Sequence, residues 1–393
     1  MPWDQRSTMD QKRLFIADYL TLSFTIVELC DRFGISRPTA YKWIRRFLNH
    51  GYTGLEELPR RPSRCPHRTA DDLVEMILQL RRRHPTWGAK KLLKILNKRR
   101  PNLAWPAVST TANILKRHGL VKNKSRRKYP GHPGKPASKM DRPNDTWCAD
   151  FKGEFKTKDG IYCYPLTVTD GCSRYLLGCK ALHSTKHVLA KPVFTRIFRE
   201  FGLPRIIRTD NGTPFASTAI GRLNRLSVWW IRLGIFPELI QPGCPQQNGR
   251  HERMHKTLKR ETTRPPAATL RGQQIRFTRF IEEFNNVRPH EALDQETPAS
   301  FYKPSNRELP ARLPSPEYPD HFEKRLVSRN GGFRWTSLRV PISHTLQEQY
   351  VGLEEVDDGK WDVYFGHVRL GQMDERTLTI KDALGNRVRR KTM

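Results

Sequence analysis

The chain of 393 residues lacks any apolar run that approaches the ~20 residues of a membrane span. Its beginning also lacks the apolar core of a signal peptide. The seven cysteines are odd in number and form no Cys-x-x-Cys pair, which argues against a disulfide framework and against a cysteine-type zinc site. We therefore expect a protein of a reducing compartment, cytoplasmic and associated with the nucleoid, with no membrane partner.

Acidic residues are scarce relative to basic ones. The chain has 71 Lys and Arg against 39 Asp and Glu, a formal net charge of +32. Such an excess repels itself unless a polyanion neutralises it, and nucleic acid is the polyanion that this charge favours. A generic basic protein or a binder of membrane surfaces is the alternative that charge alone leaves open.

Residues 1–58 have the pattern of a helix-turn-helix DNA-binding domain. Residues 25–33 carry apolar positions at helical spacing, and Gly34 suits the tight turn that follows. Residues 37–48 would then form a recognition helix for the DNA major groove. A plain helical hairpin is the alternative. The side chains predicted to contact DNA are Arg37, Thr39, Lys42 and Arg46.

Residues 59–121 predict a second module. Helices are expected over 72–83, 88–98 and 106–118, after a basic, proline-rich connector at 59–68. The set is typical of a winged-helix or helix-turn-helix DNA-binding domain, although a single helical domain without separate DNA readout is the alternative. We interpret residues 122–143 as a basic linker, because 122–139 hold seven Lys or Arg and no acid.

From residue 144 the pattern changes to strands, predicted over 146–155, 162–169 and 174–180. Helices and strands alternate after them. Three antiparallel strands followed by this alternation indicate an RNase H-like α/β domain over 144–303. The later elements are expected as a helix at 185–201, a strand at 204–209, a helix at 217–233, a strand at 239–241, and helices at 250–262 and 274–287.

The C-terminal part is predicted to be a linker and a small β domain. Residues 304–332 are rich in proline and charge. Short alternating segments return at residue 333, and we expect a small SH3-like β-barrel over 333–393, with strands at 333–342, 350–356, 361–367 and 377–380. The fold class is therefore multidomain α+β.

Two acids are placed where strands of the α/β domain should meet. Phosphodiester cleavage and strand transfer develop negative charge on both the attacking and the leaving oxygen, and two hard cations held by carboxylates can stabilise both. Asp150 lies inside the first predicted strand, and Asp210 ends the fourth. Those strands are neighbours in RNase H-like order. For Asp210 the Asp-Asn-Gly sequence is also a good turn, which is the alternative reading.

A third acid, Glu252, lies early in the helix predicted at 250–262. At 3.6 residues per turn it shares a face with His255, Lys256 and Lys259, while Met254 and Leu258 lie opposite. That face would present an acid to metal ions and amines to DNA phosphates. An acid that only complements the helix dipole is the alternative.

Asp150, the run Arg208-Thr209-Asp210-Asn211-Gly212 and residues 245–253 together resemble the D,D,E signature of retroviral-type integrase cores. They are most similar to the integrase-like transposases of bacterial insertion sequences, as are residues 246–259 and 285–293. The resemblance is strongest over 144–302. The spacing between Asp210 and Glu252 is longer than usual in that family, and we place the extra length around 227–234.

The resemblance implies two Mg²⁺ ions, with Mn²⁺ as a common substitute, bound by Asp150, Asp210 and Glu252. It also implies that Lys256 and Lys259 contact the DNA end. The zinc-binding domain of retroviral integrases is absent, and the helix-turn-helix modules stand in its place.

Other acids and histidines also lie near these motifs. Asp170 and Asp159 each precede a glycine and are expected to serve turns. Glu238 precedes the third motif and could coordinate a metal in principle. His251 and His255 flank Glu252 and could orient a nucleophile or contact phosphate, although a satisfied or solvent-facing histidine is the commoner outcome.

The implied function is that of a DDE transposase, a metal-dependent polynucleotidyl transferase. It would bind the terminal inverted repeats of an element, cleave the DNA and join the exposed 3′-hydroxyl to double-stranded target DNA. Self-association into a dimer or higher oligomer is expected, since two ends must be held together. The alternatives are a domesticated sequence-specific DNA-binding regulator and an RNase H-like nuclease without strand transfer.

Overall fold

The computed structural model describes residues 7–57, 68–121, 138–217, 219–241, 243–382 and 385. The chain divides into two compact units, Met1–Ala70 and Asp71–Met393. Nearly all of the connector expected at 59–68, and most of the linker expected at 122–143, lie outside the described residues. Across the described ranges, the helices are too short or too polar to cross a membrane.

The first unit is a three-helix domain, of which the sequence predicted the second and third helices. Helix α1 (Thr8–Leu20) precedes α2 (Ile26–Phe33) and α3 (Arg37–His50). Helix α2 begins with a capping box between Thr25 and Glu28, and Gly34 ends it at φ 60°, a conformation that glycine adopts without steric cost. The buried side chains that join the three helices include Phe15, Ile16, Leu29, Ala40 and Ile44. The helix-turn-helix prediction is therefore confirmed.

The second unit begins with three more helices: α4 (Asp71–Arg83), α5 (Ala89–Arg99) and α6 (Val108–Arg117). Their apolar faces meet in a core of Ile77, Trp87, Leu92, Leu96 and Ile114. These helices agree with the sequence-based bounds within one or two residues, because each carries an apolar stripe at helical spacing.

The central sheet of the second unit has RNase H-like topology. Its strands are β1 (Thr146–Phe151), β2 (Phe155–Lys156), β3 (Tyr162–Asp170), β4 (Leu176–Leu182), β5 (Ile206–Thr209) and β6 (Phe236–Leu239). Strand β3 pairs antiparallel with β1, β4 and, at its start, β2. Strand β5 lies parallel between β1 and β6. The mixed sheet thus places the first strand of the domain beside the fourth long one, as expected.

Helices cover both faces of this sheet: α7 (His187–Phe201), α8 (Arg225–Arg232), α9 (Gly249–Thr262) and α10 (Leu270–Glu282). On one face, Trp147, Phe194, Phe198, Ile207 and Trp230 form the main core. On the other face, Cys179, Met254, Leu258, Phe277 and Phe280 form a second core under α9 and α10. Because successive strand residues point to opposite faces, Asp150 lies on the α9 side of β1, opposite to Trp147 and Ala149.

Several element bounds differ from the sequence-based ones. The strand expected over 146–155 breaks at 152–154, and the strand expected at 239–241 lies earlier, as β6. The helix expected over 217–233 is only α8, since Asn224 caps it by accepting the N–H groups of Leu226 and Ser227. The helix expected to reach Val287 ends at Glu282 and finishes in a π turn, Glu283–Val287.

The C-terminal strands are β7 (Glu323–Leu326), β8 (Gly332–Trp335), β9 (Leu338–Pro341), β10 (Tyr350–Asp357), β11 (Lys360–Phe365), β12 (Val368–Asp374) and β13 (Thr379–Asp382). Five of them form an antiparallel sheet in the order β13-β12-β11-β10-β7, and β8 and β9 form a separate hairpin. The barrel expected here is not found in the described residues. Both sheets are open, because the hairpin packs through Phe333, Trp335 and Val340 and does not hydrogen-bond to the edge strands.

The segment 304–332, expected as a linker, is packed against the rest of the unit. The guanidinium of Arg307 donates to the carbonyls of Pro204, Leu233 and Gly234. The segment also contributes β7 and the fully buried Val327. Its polar composition concealed this, because the packing uses backbone carbonyls and isolated apolar residues. The other domain bounds inferred from sequence stay predictions.

Candidate functional site

Two of the three predicted acids lie at neighbouring strand ends. Asp150 belongs to β1, and Asp210 follows β5 directly. The parallel register pairs Ala149 with Thr209, so the next residue on each strand is an acid. The sequence predicted that these two acids lie on neighbouring strands, and the register agrees with that prediction.

The third acid, Glu252, lies close enough to raise the pKa of Asp150. Glu252 lies in the first turn of α9 and is half-buried. Burial, and then the charge of Asp210, raise the pKa of Asp150 to about 7, and Glu252 adds a smaller effect in the same direction. Lys152 opposes the shift. The structure thus concentrates negative charge at one place on the sheet edge.

The acids do not form a ready metal site as they stand. Within the described part of the chain, no three side chains of His, Cys, Asp or Glu converge as a group that could hold a metal ion. The charges of Asp210 and Glu252 affect the pKa of Asp150, but the three carboxylates do not converge on one point.

A buried hydrogen-bond network of hydroxyl and imidazole groups lies between the sheet and α9, next to Asp150. Thr167 on β3 donates its hydroxyl proton to the carbonyl oxygen of Asp150, at 3.0 Å. The Nε2 atoms of His251 and His255 lie 2.8 and 2.7 Å from the same hydroxyl oxygen. Since the single hydroxyl proton is already used, both Nε2 atoms must carry protons and donate to it.

The tautomers follow from these bonds. With Nε2 protonated, the Nδ1 atom of neutral His251 accepts from the hydroxyl of Thr169, at 2.7 Å. The Nδ1 atom of His255 lies 3.6 Å from Oδ2 of Asp150. Burial lowers the pKa of His251 to about 3 and also lowers the pKa of His255, so both rings stay neutral near pH 7. The network binds α9 to β3 beside the acids.

The arrangement of α9 corrects one expectation. His255 does not share the exposed face of Lys256 and Lys259 but is buried beside His251, against the sheet. Neither histidine reaches solvent, so neither is placed to contact phosphate. Lys256 and Lys259 are exposed, and their contact with DNA stays a prediction. Met254 and Leu258 are buried, as predicted.

The rival acids have structural partners. Asp170, almost fully buried, accepts hydrogen bonds from the backbone N–H groups of Asn144 and Ser173, which fits its predicted turn role. Glu238 on β6 accepts from Nε of Arg208 at 2.5 Å and from the hydroxyl of Ser138 at 2.7 Å. The Glu238 carboxylate is therefore committed to an ion pair and does not join the acids.

Arg208 is a residue of the site that the motif did not single out. Its side chain is only 1% exposed. Besides Glu238, it donates to the carbonyls of Gln247 and Ser138. This holds the 3-10 turn Pro245–Asn248, which leads into α9, against the strand that ends at Asp210. The sequence did contain a signal for this role: an arginine inside a predicted strand of the core requires a buried partner for its charge.

Thr167 was also missed from sequence. It stands on the face of β3 that points away from Leu166 and Val168, which are fully buried in the main core. Strand periodicity placed it on the same side as Asp150, but only the pairing of β1 with β3 brings the two together. A threonine in a strand is common, so the residue type alone carried no signal.

The recognition helix agrees with the sequence in part. Arg37 and Lys42 are exposed, whereas the hydroxyl of Thr39 lies 2.9 Å from that of Ser36. The guanidinium of Arg46 donates to the carbonyl of Glu56 at 2.7 Å, so this side chain is partly used within the domain. The exposed face also presents Tyr41 and Arg45, which sequence reasoning omitted.

The raised pKa of Asp150 predicts how stability depends on pH in metal-free protein. Because the pKa is higher in the folded state (about 7) than its ordinary value of 3.8, protonation favours folding. This contribution is complete below about pH 4 and is lost as the pH rises through about 7. The Asp150→Asn variant has no carboxyl group to ionise at this position, so its stability should not fall in this pH range for this reason. The variant should gain up to about 4 kcal/mol in free energy of unfolding, relative to the native chain, between acidic and mildly alkaline pH.

Urea unfolding in EDTA at about pH 5 and about pH 8 checks this expectation. Comparing variant with native protein at each pH cancels the opposite contribution of His251, whose lowered pKa stabilises the fold at higher pH. If the free energies of unfolding of variant and native protein differ by the same amount at both pH values, the pKa of Asp150 is not raised in the folded protein.

Matches to protein families agree with this architecture. Models of the integrase core domain match residues 140–245 and 233–298. Models of homeodomain-like domains match residues 6–56 and 39–115. The chain therefore combines helix-turn-helix domains with an integrase core of RNase H-like fold.

Individual relatives fall into two groups. The Gag-Pol polyprotein of baboon endogenous virus (strain M7) is 33% identical over 132 residues, which are 34% of this chain and 7% of that protein. The insertion element IS476 uncharacterized 39.2 kDa protein of Xanthomonas euvesicatoria is 26% identical over 269 residues, 66% of this chain and 75% of that protein. The insertion element IS407 uncharacterized 31.7 kDa protein of Burkholderia multivorans is 27% identical over 160 residues, 40% of this chain and 55% of that protein.

These relatives confirm the resemblance found in the sequence: the chain is similar to insertion-sequence transposases with an integrase-like core. It spans less than a quarter of the length of the first viral polyproteins that it matches.

Two solved structures are also similar. The HTLV-2 integrase catalytic core domain in complex with magnesium is 16% identical, with a TM-score of 0.33, over 41% of this chain and 98% of that one. The simian T-cell lymphotropic virus intasome in complex with PP2A regulatory subunit B56 gamma is 17% identical, with a TM-score of 0.36, over 75% of this chain and 97% of that one. Because both scores are low, the fold assignment rests on the strand order described above.

Proposed function

We propose that the chain is a DDE transposase. It binds the inverted repeats at the ends of an element, cleaves the DNA there and transfers the 3′-hydroxyl strand into target DNA. The observation that carries this proposal is the register of β1 and β5, which places Asp150 next to Asp210, with the charge of Glu252 nearby, inside an integrase core.

The donor set fits Mg²⁺. Three carboxylates supply the hard oxygen ligands that this ion prefers. The pKa of Asp150 is raised first by burial and then by the charge of Asp210, and a bound divalent cation would favour the charged form of this carboxylate. We assign Asp150, Asp210 and Glu252 as the ligands of two ions, with Mn²⁺ as a substitute. The ions, when bound, stabilise the charge that develops on the attacking and leaving oxygens of the phosphodiester.

The protein contributes position. Thr167, His251 and His255 hold β1, β3 and α9 in register, so that Asp150 and Glu252 keep their relative places. Arg208 holds the turn that precedes α9. The exposed Lys256 and Lys259 bind phosphates of the DNA end. In the joining step the 3′-hydroxyl oxygen bonds to a target phosphorus, and the bond from that phosphorus to its own 3′ oxygen breaks.

The helical domains supply recognition. Arg37, Thr39 and Lys42, with Tyr41 and Arg45 on the same helix, lie in the major groove of the element end. Arg46 reaches DNA only if it leaves the carbonyl of Glu56. The net charge of +32 supports binding to double-stranded DNA along much of the chain. Two ends must be held together, so the active form is a dimer or a higher oligomer, in the cytoplasm and associated with the nucleoid.

A joining assay with a pre-cut DNA end tests the proposal. The probe is a duplex made from the DNA that flanks the gene, with an exposed 3′-hydroxyl, incubated with target plasmid and Mg²⁺ or Mn²⁺. Covalent joining that stops in EDTA is the expected result. Metal-dependent hydrolysis without joining would instead identify a nuclease, and binding without either reaction would identify a DNA-binding regulator; both outcomes contradict the transposase proposal.

A further inference from the structure

The turn between α4 and α5 contacts the C-terminal end of α9. In that turn, the hydroxyl of Thr86 donates to a carboxylate oxygen of Glu261 at 2.6 Å. The guanidinium of Arg288, which follows the π turn after α10, donates to the same oxygen. Glu261 therefore joins the helices α4 to α6, which we call the helical module, to α9 and to the segment after α10. We call Thr86, Glu261 and Arg288 the Glu261 junction.

The Glu261 junction is buried. The side chain of Arg288 is 6% exposed and that of Glu261 is 17% exposed. Beside them lies the fully buried Trp87, whose ring centre is 5.8 Å from the guanidinium carbon of Arg288. Val287 packs against the apolar core of the helical module. Removing either member of a buried ion pair leaves the other charge uncompensated, so this contact is costly to break.

Neighbouring groups show that the helical module is packed onto the core and not merely tethered to it. The ring of His84 stacks on that of Trp87, and its Nδ1 atom lies 3.2 Å from a carboxylate oxygen of Glu283. Burial, followed by the charge of Arg288, lowers the pKa of Lys91 on α5 to about 8. A lysine with a pKa lowered in this way has lost much of its contact with water.

Helix α9 connects the Glu261 junction to the acids. Glu252 and Glu261 are nine residues apart, about two and a half turns at 3.6 residues per turn, so they project from opposite flanks of the helix. Between these flanks, Met254 and Leu258 pack on the sheet. A short helix that is packed along its length moves as one body. The position of the helical module and the position of Glu252 are therefore set by the same element.

We propose that the Glu261 junction positions bound DNA for the joining reaction. Arg288 and Thr86 hold the helical module at a fixed place relative to Glu252, so that DNA bound by the module presents its 3′-hydroxyl at the acids. Arg288, in the segment 285–293 that resembles insertion-sequence transposases, is thus a positioning residue that acts through Glu261. The inference rests on the proposed function, since it requires the helical module to bind the inner part of the element end.

The first test compares the joining of two pre-cut duplexes. The long duplex carries the whole flanking-DNA end, and the short duplex keeps only the base pairs nearest the 3′-hydroxyl, beyond the reach of the helical module. At saturating DNA, the native chain should join the long duplex at least about a hundred times faster, which is the effect of a misplacement of about 1 Å. In Glu261→Gln and in Arg288→Gln this ratio should fall at least about tenfold.

The ratio of the two rates separates positioning from a loss of folded protein, because unfolding lowers both rates equally. Glu291→Gln is the matched control. Glu291 pairs across the same interface with Lys90 at 3.3 Å, but its side chain is 75% exposed, so the ratio should not change. If Arg288→Gln fails to fold, Thr86→Val decides. It removes one hydroxyl and leaves the ion pair in place, and the ratio should fall about threefold or more.

A second readout requires no chemistry. In EDTA, a hydroxyl-radical footprint of the native chain on the long duplex should cover both the inner base pairs and those next to the 3′-hydroxyl. In Glu261→Gln the inner protection should persist at the same protein concentration, whereas the protection next to the 3′-hydroxyl should weaken.

Two results overturn the inference. An unchanged ratio and footprint in Glu261→Gln would mean that Glu261 does no more than stabilise the fold. Faster joining in the junction variants would mean that the docked helical module obstructs the acids. Failure of the proposed function is a different result, in which the native chain joins neither duplex, and the footprint then still tests the placement of DNA.

Discussion

Asp150→Asn, Asp210→Asn and Glu252→Gln should each reduce joining of a pre-cut end at least about a thousand-fold, because each removes a charge needed for metal-ion catalysis. Amides preserve the shape of the carboxylates, so the fold should persist. Binding of the flanking-DNA duplex should stay within a small factor of the native value, since the helical domains carry most of it. Gel-based joining and fluorescence anisotropy measure the two quantities on the same preparations.

A control acid lies between β1 and β2, shortly after Asp150 in the chain. Glu154 follows β1, is exposed and makes no hydrogen bond or ion pair with the described residues. Glu154→Gln removes the same charge and should leave joining intact. Should an amide variant at any of the three positions keep a tenth or more of native joining, that residue would lose its place among the proposed ligands.

Glu238→Ala should lower the free energy of unfolding by about 3–5 kcal/mol, since it leaves the charge of Arg208 buried without its partner. Arg208 is 1% exposed and Glu238 is 13% exposed, so water cannot replace the lost carboxylate. Joining should fall as well, because Arg208 also holds the carbonyl of Gln247 in the turn before α9. Chemical denaturation followed by tryptophan fluorescence gives the stability change.

The control for this loss is an ion pair on the surface. Glu348 pairs with Arg329 at 3.1 Å, and both side chains are mostly exposed. Glu348→Ala should change stability by no more than about 1 kcal/mol. If the two alanine variants are equally stable, the Arg208–Glu238 pair contributes no more than an exposed one and does not hold the turn in place.

Local patterns were sufficient for most of the helices and for the adjacency of two acids. Capping and apolar spacing predicted α2 and α4 to α6 closely. The strand order that the alternation implied placed β1 beside β5, and so Asp150 beside Asp210. The role of these acids as metal ligands stays a prediction, as do the DNA contacts.

Local sequence patterns did not predict the features of the fold that depend on contacts between residues far apart in the chain. The segment 304–332 looks like a linker, but Arg307 and Val327 pack it onto the domain. The C-terminal strands were expected to close into a barrel, yet closure depends on hydrogen bonds between edges that composition does not specify.

The amino-acid sequence by itself determined which residues carry charge, where the helices of the N-terminal modules that it predicted begin and end, and which segments alternate as strands. These features depend on neighbours a few positions away. Only the tertiary structure decided the rotation of α9, which buries His251 and His255 against Thr167 and leaves Lys256 and Lys259 outside. That rotation follows from the packing of Met254 and Leu258 on a sheet face assembled from strands distant in the chain. The same packing sets Arg250 against the turn of Arg174, a contact that spacing along the chain could not reveal.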